Sequence, residues 1–70
     1  MPIIEVNLLE GRSTEDKERL IQALTNAAIE SLDAPRESVR IILREMAAGH
    51  FAVGGQSFAA KAAKAVSGNA

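Results

Sequence analysis

Cysteine, tryptophan and tyrosine are absent from this sequence, and histidine occurs once, at His50. Without thiols the chain has no disulfide staples and no thiolate metal site, two common supports for a small fold. One histidine supplies neither a zinc-type ligand spacing nor a Ser-His-acid triad, and Gly54-Gly55 falls short of any phosphate-cradling glycine motif. His50 is therefore read as structural. Charge of one sign is also lacking: 8 Lys and Arg stand against 9 Asp and Glu, a formal net charge of -1. That balance gives no general attraction to phosphate backbones or anionic membranes, so neither nucleic acid nor membrane is expected as a partner. No apolar run approaches the roughly 20 residues that cross a bilayer, and no basic segment followed by an apolar secretion core opens the chain. It is read as cytoplasmic.

What remains is a globular composition, 47% hydrophobic and 24% charged, without the hydrophobic deficit of a disordered chain. Residues 1–70 have room for a single domain with a thin core. With no covalent or metal support available, self-association is the expected source of added stability.

From Pro2 to Leu9, polar Glu5 and Asn7 alternate with Ile4, Val6 and Leu8, the period of a strand. Glu10-Gly11-Arg12-Ser13 breaks the alternation. Ser13 is placed to cap a helix, and Glu15 and Asp16 lie where the helix dipole favours carboxylates. Leu20, Ile21, Leu24, Ala27, Ala28 and Leu32 then recur at spacings of three and four, one apolar stripe of a helix, with Lys17, Arg19, Gln22 and Glu30 mostly elsewhere on the wheel. Pro35 ends it near Asp33. Val39 to Leu43 reads as a second strand, with Val39, Ile41 and Leu43 on one face and Arg40, Ile42 and Arg44 on the other. Two strands joined by a long helix make a β-α-β unit of the α/β class, which favours parallel pairing. The glycine-rich run from Gly49 to Gly55 suits a short hairpin or bulged segment at a subunit contact. Phe58 to Val66 carries a weak helical face, and Ser67-Gly68-Asn69-Ala70 is expected to fray.

Few residues here offer chemistry. Pro2 is one, because removal of Met1 would expose a secondary amine; a free α-amino group titrates near 7.7 to 8.0, and burial beside cations would lower that further. The competing reading is a proline that only stiffens the start of the chain. Arg12, in the loop after the first strand, is suited to two-pronged carboxylate binding or is a solvated loop residue. Arg40 lies in an apolar strand, where a charge needs a partner, a cavity or an interface; its alternative is a structural salt bridge. Arg36 and Arg44 compete for the same roles, and spacing does not choose among them. Phe51 either walls a pocket or anchors its loop.

Taken in order, Pro2 at the head of a strand, Leu8-Leu9-Glu10-Gly11-Arg12-Ser13, Ser31-Leu32-Asp33-Ala34-Pro35, Ser38-Val39-Arg40 and the run from Glu45 to Gly55 resemble the 4-oxalocrotonate tautomerase (2-hydroxymuconate tautomerase) family. The resemblance covers about residues 2 to 60. It implies one tautomerase domain, a β-α-β subunit that pairs into a four-stranded sheet, and a homohexamer built as a trimer of dimers. It also implies an isomerase of aromatic hydrocarbon catabolism that needs no metal or cofactor. Pro2 would be general base and acid on a 2-hydroxydienoate such as 2-hydroxymuconate, a small dicarboxylate. Arg12 and Arg40 would hold its two ends from neighbouring subunits, and Phe51 would keep the site apolar. After Gly55 the tail departs from the best-known members, with lysines and no arginine. Two rivals stand beside this reading. One is a proline-dependent hydratase or dehalogenase of haloacrylate-type acids, with Glu5, Glu10 or Glu45 activating water; the other is a non-catalytic oligomer.

Overall fold

The computed structural model describes residues 1–62, and these form one β-α-β unit followed by a small hairpin. Strand β1 runs Ile3–Leu9, helix α1 Thr14–Leu32, strand β2 Arg40–Met46, and strands β3 and β4 are Ala52–Val53 and Gln56–Ser57. Short 3-10 turns occupy Arg36–Ser38 and Ala48–His50. Strands β1 and β2 pair in parallel from Ile3↔Arg40 to Leu9↔Met46. Strand β1 starts one residue later than expected, because Pro2 has no N–H for the ladder; its carbonyl still accepts the Arg40 N–H at 2.9 Å. Strand β2 begins at Arg40 instead of Val39 and continues past Leu43 to Met46, because pairing with β1 carries Arg44 and Glu45 along despite their polar side chains.

Helix α1 begins where the cap chemistry places it. The Ser13 hydroxyl accepts the Asp16 N–H at 3.1 Å. At the far end Asp33 turns into the left-handed region at φ 54 and ψ 38, donating its N–H to the Ile29 carbonyl. The helix lies over the sheet face that carries Ile4, Val6, Leu8, Ile41 and Leu43. Leu20, Ile21 and Leu24 are half-buried there, and Ala28, only 5% exposed, is the sole fully buried residue among those described. Two members of the expected stripe depart from it: Ala27 is exposed, and Leu32, at the helix end, is 63% exposed.

The opposite sheet face is covered by none of the described residues. Ile3 and Ile42 stand 52% and 39% exposed on it, and covering each would contribute roughly 1 kcal/mol. Parallel sheets are ordinarily covered on both faces, and two strands with one open face are marginal alone. Between β3 and β4, Gly54 and Gly55 take φ of 63 and 83, the double positive-φ turn that matches the twist of a two-residue hairpin. The expected hairpin is thus present, with Phe51 and Phe58 meeting edge to face, centroids 4.6 Å apart. Residues 58–62 start the expected terminal helix; its remainder and the expected fraying of Ser67 to Ala70 lie outside the described residues. No described helix is long and apolar enough to cross a membrane.

The two helix ends make opposite predictions. Ser13→Ala should cost about 1 kcal/mol of stability by orphaning a backbone N–H. Asp33→Gly should raise the melting temperature by relieving a left-handed non-glycine residue. Thermal melts by circular dichroism at one fixed protein concentration check both.

Candidate active site

The parallel ladder brings the expected site residues together in two groups, one at each end of the sheet. At the entry end, Pro2 precedes β1 and Arg40 opens β2, joined through the backbone bond between them. At the exit end, about 23 Å away along a seven-residue strand, lie Arg12 and Phe51. Arg12 follows β1 and lines a cleft of about 420 Å³ with Val6, Leu8, Asp16, Lys17 and Leu20. Phe51 borders a smaller recess with Asn7, Leu8, Leu9 and Met46. Pro2 and Arg12 of one chain are too far apart to hold one small dicarboxylate.

Met1 is 71% exposed, so its loss uncovers the Pro2 nitrogen without disturbing a packed side chain. With Met1 attached that nitrogen is an amide and carries no basicity. Arg40 is exposed on the open face, and its Nη1 donates to the Glu37 carbonyl at 2.6 Å. Among the described residues it meets no carboxylate, so the structural salt bridge considered for it is made by another arginine. That arginine is Arg44, which grips Glu5 across the strands with two bonds of 3.0 and 3.2 Å. Hydrogen bonding to Arg44, reinforced by its charge, holds the Glu5 carboxyl below the usual glutamate range, and the same pairing raises Arg44. Arg36 is engaged elsewhere, donating to Asn26 at 2.8 Å. Arg12 makes no side-chain hydrogen bond or ion pair among the described residues. Arg12 and Arg40 are thereby the candidate guanidiniums that no described side chain engages.

Lys17 joins the site although the helical wheel assigned it no part in it. Its spacing to Leu20, Ile21 and Leu24 is three, four and seven, which puts it on the apolar stripe and is the signal that could have found it. Its Nζ reaches Glu45 at 3.0 Å, with side-chain exposures of 26% and 37%. His50 is exposed in a 3-10 turn, its N–H on the Ala47 carbonyl. No cluster of three or more potential metal ligands occurs among the described residues.

Comparison with known proteins bears on this arrangement. Residues 2–61 match the family model described as tautomerase enzyme. A 2-hydroxymuconate tautomerase of Pseudomonas putida is 55% identical over 56 residues, which cover 80% of this chain and 89% of that protein. A solved 4-oxalocrotonate tautomerase isozyme from Methylibium petroleiphilum superposes with a TM-score of 0.86 at 43% identity, covering 90% of this chain and 98% of that one. A heterohexamer 4-oxalocrotonate tautomerase from Chloroflexus aurantiacus J-10-fl gives 0.80 at 44% identity, covering 84% and 95%. A strand-headed proline, a matching fold and a family match over nearly all the described residues lead to one assignment: the chain belongs to the tautomerase family of isomerase enzymes.

Proposed function

We propose that this protein is a cofactor-independent keto-enol tautomerase acting on a 2-hydroxydienoate such as 2-hydroxymuconate, with the Pro2 amine, freed of Met1, as its general base and acid. The amine takes the 2-hydroxyl proton as the C2=O bond forms. The remaining double bond moves to C3–C4, and the same proton is returned to C5, giving the 2-oxo-3-enoate with no net gain or loss of atoms. One group that accepts and then donates one proton is sufficient, so neither metal nor redox cofactor is called for. The observation that supports this reading is the family match over residues 2–61, with Pro2 held at the head of β1 by the Arg40 N–H on its carbonyl and the Arg40 guanidinium without an acidic partner among the described residues.

Arg12 and Phe51 complete the site from other copies of the chain, because their distance from Pro2 within one chain forbids direct participation. Arg40 would hold one carboxylate, Arg12 the other, and Phe51 would exclude water and so strengthen both contacts. A homohexamer of paired four-stranded sheets supplies those copies and covers Ile3 and Ile42; the Chloroflexus relative is a hexamer, though of mixed chains. Residues 1–70 then act as one domain, in the cytoplasm, within aromatic hydrocarbon catabolism. The relatives named as 2-hydroxymuconate tautomerases support the substrate class. The hydratase or dehalogenase reading is weaker. It needs a carboxylate free to activate water near Pro2: Glu5 and Glu45 are each held by a cation, and Glu10, which has no ionic partner among the described residues, follows β1 at the opposite end of the sheet from Pro2.

Ultraviolet assay of 2-hydroxymuconate ketonisation, with the Pro2 terminus verified by mass, tests the proposal. Pro2→Ala should lose about 10²- to 10⁴-fold in rate with the assembly intact; an unchanged rate would remove Pro2 from the chemistry. Arg40→Ala should lower kcat/KM at least tenfold by removing a charged hydrogen bond. The Glu5–Arg44 pair makes a pH prediction. Because the folded carboxyl lies below its ordinary value of 4.5, the pair's stabilisation is complete above that pH and is lost as pH falls through the lowered folded value. Carbon-detected titration should find Glu5 below 4.5, and Arg44→Met should raise it.

A further inference from the structure

The exit-end cleft holds three charged side chains, Arg12, Asp16 and Lys17, and two of them are already neutralised. Asp16 is bonded to Arg19, and its backbone N–H is taken by Ser13. Lys17 is bonded to Glu45 at 3.0 Å. Only Arg12 is without an ionic partner among the described residues.

Glu45 occupies an unusual position. Period two carries Ile41, Leu43 and Glu45 along the sheet face beneath α1, and Glu45 pairs in register with Leu8, which itself lines the cleft. A carboxylate thus ends an apolar row, and both its ion-pair partner Lys17 and its register mate Leu8 line the cleft that Arg12 also lines. Left unpaired, Glu45 would compete with a substrate carboxylate for the Arg12 guanidinium, since Arg binds any carboxylate that meets its planar fork. Lys17 is the group that prevents this. It stands one helical turn before Leu20 and Ile21 on the apolar stripe, so its side chain is directed at the sheet, and it links the first turn of α1 to the end of β2.

We infer that Lys17 is a positioning residue for substrate binding: by holding Glu45 in an ion pair, it keeps that carboxylate off Arg12 and reserves the Arg12 guanidinium for the substrate. This rests on the reading of Arg12 as a carboxylate binder. The role is asymmetric, which separates it from a mere clamp between helix and sheet. Loss of Lys17 releases the Glu45 carboxylate from its partner in the cleft that Arg12 lines, whereas loss of the Glu45 charge releases no anion.

The test is a set of kinetic comparisons on the full-length, Pro2-terminated protein with 2-hydroxymuconate. Lys17→Met should raise KM about three- to ten-fold with kcat little changed, the size expected of a neighbouring, partly exposed charge. Glu45→Gln alone should leave KM unchanged, the double variant should return KM to its starting value, and Lys17→Arg should keep it there. Equal damage from Lys17→Met and Glu45→Gln, or a double variant no better than Lys17→Met, would overturn the inference in favour of a structural clamp. Arg12→Ala is run alongside. If it raises KM while Lys17→Met does not, the inference fails and the Arg12 assignment survives; if Arg12→Ala leaves KM unchanged, the assignment itself fails and the inference goes with it.

Discussion

The parallel pairing of β1 with β2 is the constraint on which the rest of the structure depends. It joins segments separated by the whole of α1, and its register, Ile3↔Arg40 through Leu9↔Met46, sets which side chains share a face and which share an end. Because the connection is a helix running back over the strands, the first turn of α1 must lie above the strand ends, near Glu45 and the Arg12 loop. The same register draws Pro2 and Arg40 to the opposite end. Both groups of candidate residues follow from one set of backbone bonds.

The pairing also creates an unmet need. One helix covers one face of a two-stranded sheet, and the other face keeps Ile3 and Ile42 exposed around the Glu5–Arg44 pair. No described residue folds back to cover that face. Association would bury it, and association is also what would bring Arg12 and Phe51 of one copy toward Pro2 and Arg40 of another. Stability and a complete site therefore make the same structural demand.

The arginines illustrate how pairing sorts residues that are chemically alike. Arg44 and Arg36 are held by Glu5 and Asn26, whereas Arg12 and Arg40 meet no acidic group among the described residues. Desolvation is costly for an unpaired guanidinium, so such a residue stays accessible unless a ligand or another subunit supplies the anion. Glu45 is the counterpart on the acidic side: it stands where the apolar row ends and is retained there with Lys17 bonded to it.

The local elements could be read from the residues alone, since their causes are local. Alternation defined β1, Ser13 and Pro35 bounded α1, and two glycines capable of positive φ made the hairpin turn. The motif order carried the family and drew attention to Pro2, Arg12, Arg40 and Phe51. The extent of β2 came from the fold, because Arg44 and Glu45 are strand residues through their pairing with β1 and not through their own propensity. The motif order marked Arg40, but the physical difference from Arg44, which shares its face in period two, came from the fold: Arg44 is bonded to Glu5, and Arg40 meets no acidic group among the described residues. Lys17 was legible in its spacing to Leu20 and Leu24, but its purpose was not. An ion pair between residues far apart in sequence exists only once the helix has been laid across the sheet.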